Sequence, residues 1–214
     1  MSQVDVVVID YGVGNLLSVQ RGLEHFGARV LFSRDPECIL SAPRVVLPGV
    51  GAFSDAMHAL HDLKLVPVIK KIAENKTPLL GICLGMQLLC DESEEFGVTT
   101  GLGLIRGKVV AIPKENKDGG AQKIPHIGWS PLYPSNGEGW SEGILADTDI
   151  SESVYFVHSY MVQPKNENNR IADCLYGGHK ITAVIAQGNI TGCQFHPEKS
   201  GAVGLRILRR FINQ

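Results

Sequence analysis

The sequence predicts an α/β fold: a central, mostly parallel sheet flanked by helices, with a strand-rich second half. Three observations lead there. Through residue 82, short apolar runs alternate with helical patterns, the order expected of a parallel sheet with crossover helices. The second half holds five further strand-like runs before a closing helix. The chain has 214 residues, 44% hydrophobic and 20% charged, an ordinary globular balance long enough for a sizeable core.

The elements follow in order. Residues 4–9 are a β-branched run and read as a buried first strand. Residues 16–26 have helical spacing that stops at Gly27, placed as a C′ glycine. Residues 29–33 and 45–47 are the next strands, the latter running into Pro48-Gly49-Val50-Gly51. His58 and His61 share a face of a solvated helix and lack the spacing of a metal site. Residues 65–74 form a helix and 79–82 a strand. Strands are expected at 108–112, 154–157, 171–175, 182–187 and 190–194, and the closing helix at 201–212. The polar stretches 113–122 and 134–142 read as surface loops. No repeat or linker divides the chain, so residues 1–214 are expected to form one domain.

Bulk properties narrow the function. A formal net charge of -2 gives no electrostatic case for nucleic acid. No apolar run is long enough to span a bilayer, and no basic n-region precedes a cleavable apolar stretch. Five cysteines without a Cys-x-x-Cys pair fit a reducing, cytoplasmic compartment. None of the seven histidines has a metal spacing, so neither metal nor cofactor is expected. Gly12-Val13-Gly14 after the first strand invites a dinucleotide reading. Leu17 stands where that fingerprint wants glycine or alanine, and Asp35 lies past the second strand's end.

The most informative stretch is Gly81-Ile82-Cys83-Leu84-Gly85. A cysteine flanked by glycines between strand and helix has the form of a nucleophile elbow, where flanking side chains would clash. A cysteine nucleophile points to acyl transfer through a thioester. The competing reading is an inert buried cysteine. His196-Pro197-Glu198 supplies what the first reading needs, a base and its orienting acceptor. Pro197 biases His196 towards extended backbone, in which residues 196 and 198 point the same way. Leu84, just after the nucleophile, would offer one oxyanion N–H. Pro48-Gly49-Val50-Gly51 is either a second source of donors or a tight turn. Gln87, one helical turn on, shares a face with Cys83; its alternative is an ordinary exposed glutamine.

With these residues in place, the chain resembles the class I (triad) glutamine amidotransferases, through Gly81-Ile82-Cys83-Leu84-Gly85-Met86-Gln87 and Gln194-Phe195-His196-Pro197-Glu198. Asp10 to Leu16, Leu47 to Phe53, Pro125 to Trp129 and Tyr155 to Tyr160 are similar to the glutaminase subunits of imidazole glycerol phosphate synthases. The resemblance implies the three-layer fold of that class, with Cys83, His196 and Glu198 catalytic. It implies Val50 and Leu84 as oxyanion donors and Gly51, Gln87, Ser159 and Tyr160 as glutamine contacts. It also implies a (βα)₈-barrel cyclase as heterodimeric partner. That partner would use the ammonia to turn N′-phosphoribulosyl-formimino-AICAR into imidazole glycerol phosphate and AICAR, a step of histidine biosynthesis. The loop at Gly12 to Gly14 would lie near it. Trp129 and Tyr160 are placed either at that interface or in local core packing. The family more often has proline at Arg106, Arg-Phe near Ala111-Ile112 and Trp-Asn at Trp129-Ser130, with a shorter loop at 114–122. These departures leave open a paralogue feeding another synthase, for instance in amino-sugar assembly. A peptidase or binding module on the same fold is the second rival.

Overall fold

The computed structural model describes residues 4–214. The first half runs β1 (Val6–Ile9), α1 (Leu16–Glu24), β2 (Val30–Ser33), α2 (Pro36–Leu40), β3 (Val45–Leu47), α3 (Phe53–Asp62), α4 (Leu65–Glu74), β4 (Leu79–Ile82) and α5 (Leu84–Leu88). Then come β5 (Glu92–Ser93), β6 (Thr99–Thr100), β7 (Gly107–Ala111), β8 (His126–Pro131), β9 (Tyr133–Pro134), β10 (Ser153–His158) and β11 (Tyr160–Pro164). β12 (Arg170–Tyr176), β13 (His179–Gln187), β14 (Ile190–Cys193) and α6 (Gly201–Ile212) close the chain.

The central sheet has eight strands in the order β2-β1-β3-β4-β14-β13-β12-β9. The five from β2 to β14 are mutually parallel, and β13, β12 and β9 add antiparallel pairing. This mixed, mostly parallel sheet has helices on both faces, as the fold class requires. Strand alternation builds the layers. Val7, Ile9, Val45, Leu47 and Leu79 point to the face covered by α2, α3, α4 and α5. Val6, Val8, Val46, Leu80 and Ile82 point to the face covered by α1 and α6. Burial on both faces is why these strands read as unbroken apolar runs. Phe53 anchors the first layer, and Phe156, Phe195 and Phe211 the second, all fully buried. Each contributes about 1.5–3 kcal/mol of apolar burial. The smaller sheets, β8 with β10 and β11-β7-β5-β6, extend the two layers.

Several boundaries follow from local chemistry. Gly27, at φ 80°, donates its N–H to Glu24 O at 2.8 Å just past α1, the C′ role expected of it. Asp35 caps α2, accepting from Glu37 N at 3.3 Å; it therefore serves a helix, not a ribose. His58 and His61 stand exposed on α3. The 113–122 loop holds only an isolated bridge between Glu115 and Ala121. It is tied down by Lys117 N to Gly177 O at 2.9 Å and by Tyr176 OH to Lys123 O at 2.6 Å. Within 134–142 the expected loop gives way at its first residue, because Pro134 pairs with Ala172. Among the described residues, no helix is long and apolar enough to cross a membrane.

Candidate active site

The site begins at the junction of β4 and α5. Cys83 sits there at φ 54° and ψ -109°, a strained conformation for a residue with a Cβ. Two close backbone approaches impose it. A Cβ on Gly81 would meet Gly85 O at 2.7 Å, because the first turn of α5 lies over the end of its own strand. A Cβ on Gly85 would meet Leu47 O at 1.8 Å, because α5 also presses on β3. Both flanking glycines are thus required by backbone contact, as an elbow demands. Cys83 N donates to Cys193 O at 2.8 Å, continuing the β4–β14 ladder by one residue.

The 48–51 loop packs against this corner. A Cβ on Gly49 would lie 3.0 Å from both Gly85 N and the Leu84 Cβ. Tyr11 OH donates to Pro48 O at 2.7 Å and pins the loop from below. Gly49 therefore packs against the start of α5, and Val50 follows it directly in the chain. Val50 is 41% exposed, and Gly51 follows at φ 95° on open surface.

His196 follows β14 at φ -100° and ψ 96°, extended as Pro197 requires. Glu198 reaches it by a different route from the one expected. Residues Pro197–Lys199 form a 3₁₀ turn, so the turn, not strand alternation, brings the carboxylate back. Glu198 Oε1 lies 2.8 Å from His196 Nδ1, and the two side chains are 1% and 3% exposed. A carboxylate only accepts, so Nδ1 carries a proton, and Nε2 is left on the side of the ring away from Glu198. Nε2 has no hydrogen-bond partner of its own. Burial pulls the His196 pKa down, but the Cys83 thiolate and the Glu198 carboxylate outweigh it and raise it to about 9. With Nδ1 taken by Glu198, the influence of Cys83 leaves Nε2 as the nitrogen on its side. Other cysteines lack such a partner: burial pushes Cys90 up to about 12 and raises Cys174 and Cys193 as well.

Gln87 is buried, not exposed. Its Nε2 donates to Tyr160 O at 3.2 Å and to Gln194 Oε1 at 3.0 Å, leaving Oε1 as its free acceptor. The Ser159 carbonyl is taken by Ile112 N at 2.9 Å. Trp129 is 57% exposed, edge-on to Tyr155 at 6.0 Å, whereas Tyr160 packs against the core. The two aromatics therefore divide between surface and interior. The structure thus gathers Cys83, Leu84, Gln87, Tyr160, His196 and Glu198 at one point, with the 48–51 loop beside them.

Several neighbours escape the sequence. Gln194 donates to Cys83 Sγ at 3.7 Å; its place two residues before His196, on the same strand face, is the available signal. His158 donates to the Tyr160 carbonyl, and Glu95 accepts from Phe53 N at 2.6 Å at the start of α3. No local pattern marks that Glu95 contact. A cavity of about 990 Å³ runs past Ser135, Trp140, Gln187 and Asn189. It is lined by no histidine or cysteine. Among the described residues, no cluster of three His, Cys, Asp or Glu could hold a metal ion.

Known proteins share this arrangement of sequence and fold. The family model for glutamine amidotransferase class-I matches residues 7–214. A curated relative from Legionella pneumophila (strain Lens), "Imidazole glycerol phosphate synthase subunit HisH 1", is 53% identical, covering 97% of this chain and 98% of its own. HisH subunits of the same synthase from Geobacillus thermodenitrificans and Methanosarcina barkeri are each 47% identical, over 96% and 97% of this chain and 93% and 98% of theirs. Among solved structures, one described as a glutamine amidotransferase superposes with TM-score 0.72 at 18% identity, covering 97% of both chains. PurLQS from Thermotoga maritima superposes with TM-score 0.71 at 19% identity, also covering 97% of both. These two likenesses speak to the fold.

Proposed function

The chain belongs to the class I glutamine amidotransferases, and from that premise we propose that it is the glutaminase subunit of an imidazole glycerol phosphate synthase, serving histidine biosynthesis. The observation that carries the reading is Cys83, strained at the elbow, opposite a His196 held by Glu198 at 2.8 Å. The names of the relatives at 53% and 47% identity support the synthase over amino-sugar assembly. The buried Gln87 beside Cys83 argues against a peptidase or a binding module. Residues 1–214 are read as one domain because a single eight-stranded sheet underlies both halves.

In this reading the Cys83 thiolate attacks the side-chain carboxamide of glutamine. The oxyanion forms between the N–H groups of Leu84 and Val50. Imidazolium His196 gives its proton to the departing ammonia, and Glu198 holds the ring in the required orientation. Water, deprotonated by His196, then opens the thioester and releases glutamate. Gln87 Oε1, as an acceptor, suits the α-ammonium group of the substrate, with Gly51, Ser159 and Tyr160 offering backbone contacts.

Ammonia released into water becomes ammonium and loses its nucleophilicity, so it has to pass directly to a synthase. We assign that role to a (βα)₈-barrel cyclase in a heterodimer. We assign its docking surface to β8, a reading supported by Ile127 and Trp129, 54% and 57% exposed on one strand face. The test is Cys83→Ala in the complex. Glutamine-dependent synthesis should vanish while synthesis from added ammonia persists. Surviving glutamine-dependent turnover would overturn the mechanism.

A further inference from the structure

Behind Gln87 lies a chain of buried side chains that the proposed reaction does not use. His158 Nδ1 is 2.8 Å from Tyr160 O, and its Nε2 is 3.0 Å from His126 Nδ1. His126 Nε2 is 2.9 Å from Ser130 Oγ. His126 and His158 are 1% and 6% exposed. His126 is stacked between Tyr176 and Phe156, with centroids at 4.0 and 4.9 Å.

The direction of every hydrogen bond follows from one acceptor. A backbone carbonyl cannot donate, so His158 Nδ1 carries a proton. Burial lowers the His126 pKa to about 4 and, against the raising effect of the Tyr160 carbonyl, the His158 pKa to about 3. Both rings are therefore neutral. His158 Nε2 must then accept, which makes His126 Nδ1 the donor and His126 Nε2 the acceptor of the Ser130 hydroxyl proton. The same carbonyl fixes the Gln87 amide, whose nitrogen must face Tyr160 O at 3.2 Å. Its second proton goes to Gln194 Oε1 at 3.0 Å, and Gln194 Nε2 donates to Cys83 Sγ at 3.7 Å. Ser130, His126 and His158 thus donate in sequence towards the Tyr160 carbonyl, and Gln87 donates to that carbonyl from the other side while also holding Gln194.

We propose that His126 and His158 are positioning residues for the substrate: by holding the Tyr160 carbonyl they orient the Gln87 amide, whose remaining oxygen receives the α-ammonium group of glutamine. The role rests on the glutaminase reading above. It separates substrate alignment from the reactivity of Cys83, which belongs to His196 and Glu198. Loss of the His158 donor leaves Tyr160 O free to shift and Gln87 free to rotate, while the thiolate and its base stay in place.

The test uses the complex with the cyclase subunit. Cys83 is alkylated in parallel by a γ-chloroketone analogue of glutamine and by iodoacetamide, which has no α-amino group. In the wild type, glutamine should protect against the analogue. In His126→Leu and His158→Leu the analogue rate should fall roughly tenfold, the scale of one lost buried hydrogen bond, with the iodoacetamide rate within about twofold. KM for glutamine should rise more than kcat falls. His126→Asn keeps a donor near the Nδ1 position and should recover most of the selectivity. If a leucine variant does not fold, two polar variants decide. His158→Asn keeps a donor towards Tyr160 O and should retain selectivity, whereas His158→Gln, whose amide reaches past that position, should lose it. Leucine variants as selective as the wild type, or equal selectivity in His158→Gln and His158→Asn, would overturn the positioning role alone. Absence of glutamine protection in the wild type would overturn the glutaminase reading, and the positioning role with it.

Discussion

Gly85→Ala is the sharpest perturbation of the elbow. The added Cβ would stand 1.8 Å from Leu47 O, whereas ordinary contact begins at 3.4 Å, so one of them must retreat by about 1.6 Å. Neither has room. Leu47 is fully buried in β3, paired with Gly81 of β4, and α5 lies over Gly81 on its other side. Overpacking of a closed core costs about 1–3 kcal/mol. For a chain of this length that is a Tm lowered by roughly 2–12 °C. The catalytic effect should be larger in proportion. The displaced element carries Cys83 and the Leu84 N–H, and a shift of about 1 Å at a reacting group costs on the order of 10²-fold in rate. The assay is thermal unfolding of the variant alongside glutamine hydrolysis in the complex. Gly120→Ala is the control, since its Cβ would meet only Asn116 Nδ2 at 3.7 Å. A Gly85→Ala enzyme with wild-type Tm and wild-type turnover would refute the claim that backbone contact dictates the glycine.

Two further outcomes follow. His196 has its pKa raised from 6.5 to about 9 in the folded chain. Between those values the folded state holds a proton that the unfolded state has released, so its stabilising effect is complete below about pH 6.5 and is lost as pH rises through 9. Urea midpoints from pH 6 to 9.5 should therefore fall more steeply for the wild type than for His196→Asn, and parallel slopes would count against the pairing. Tyr11→Phe removes the donor to Pro48 O at 2.7 Å and leaves a buried carbonyl unpaired, a loss of about 1–3 kcal/mol. Because that loop carries the Val50 N–H proposed as an oxyanion donor, kcat should drop by about tenfold, part of the ~10² or more that such a donor supplies; an unchanged kcat would detach the loop from the reaction.

Legibility along the chain tracks how local each determinant is. β1, β3 and β4 are buried on both faces, so apolar runs alone announce them, and α4 and α6 carry a full helical period. β8 does not read as a strand because Gly128 and Pro131 interrupt it and its alternate residues face solvent. Only pairing with β10 makes it one. β11 ends in Pro164 and is hidden for a related reason. α2 is five residues long, too short for a period, although Asp35-Pro36 is a helix start in miniature. In the site, Cys83, His196 and Glu198 are legible because each carries its own flanking signature. The buried hydrogen-bond network is not: its partners are 32 residues apart at His126 and His158 and 107 apart at Gln87 and Gln194. No spacing rule links them.

The distance between Cys83 and His196, the proposed nucleophile and base, is a property of strand direction. β4 and β14 are parallel neighbours with Ile82 opposite Cys193, so both chains leave the sheet at the same edge. One turns at Cys83 into α5; the other runs three residues on to His196. β13 enters from the opposite direction, and the tight turn at Gly188, φ 60°, reverses the chain so that β14 can lie parallel to β4. Asn189 fastens that turn, its carbonyl accepting from Leu79 N at 2.9 Å and its side chain donating to Thr77 O at 2.7 Å. Without the reversal, a residue following the strand would emerge at the far end of a four-residue ladder, about 13 Å away. Register matters as much as direction. A slip of one residue in β14 would turn Gln194 and His196 to the opposite face and bring Phe195, now fully buried, towards Cys83. The chemistry of Cys83 therefore depends on a hairpin turn over a hundred residues away in sequence, through the register that it imposes.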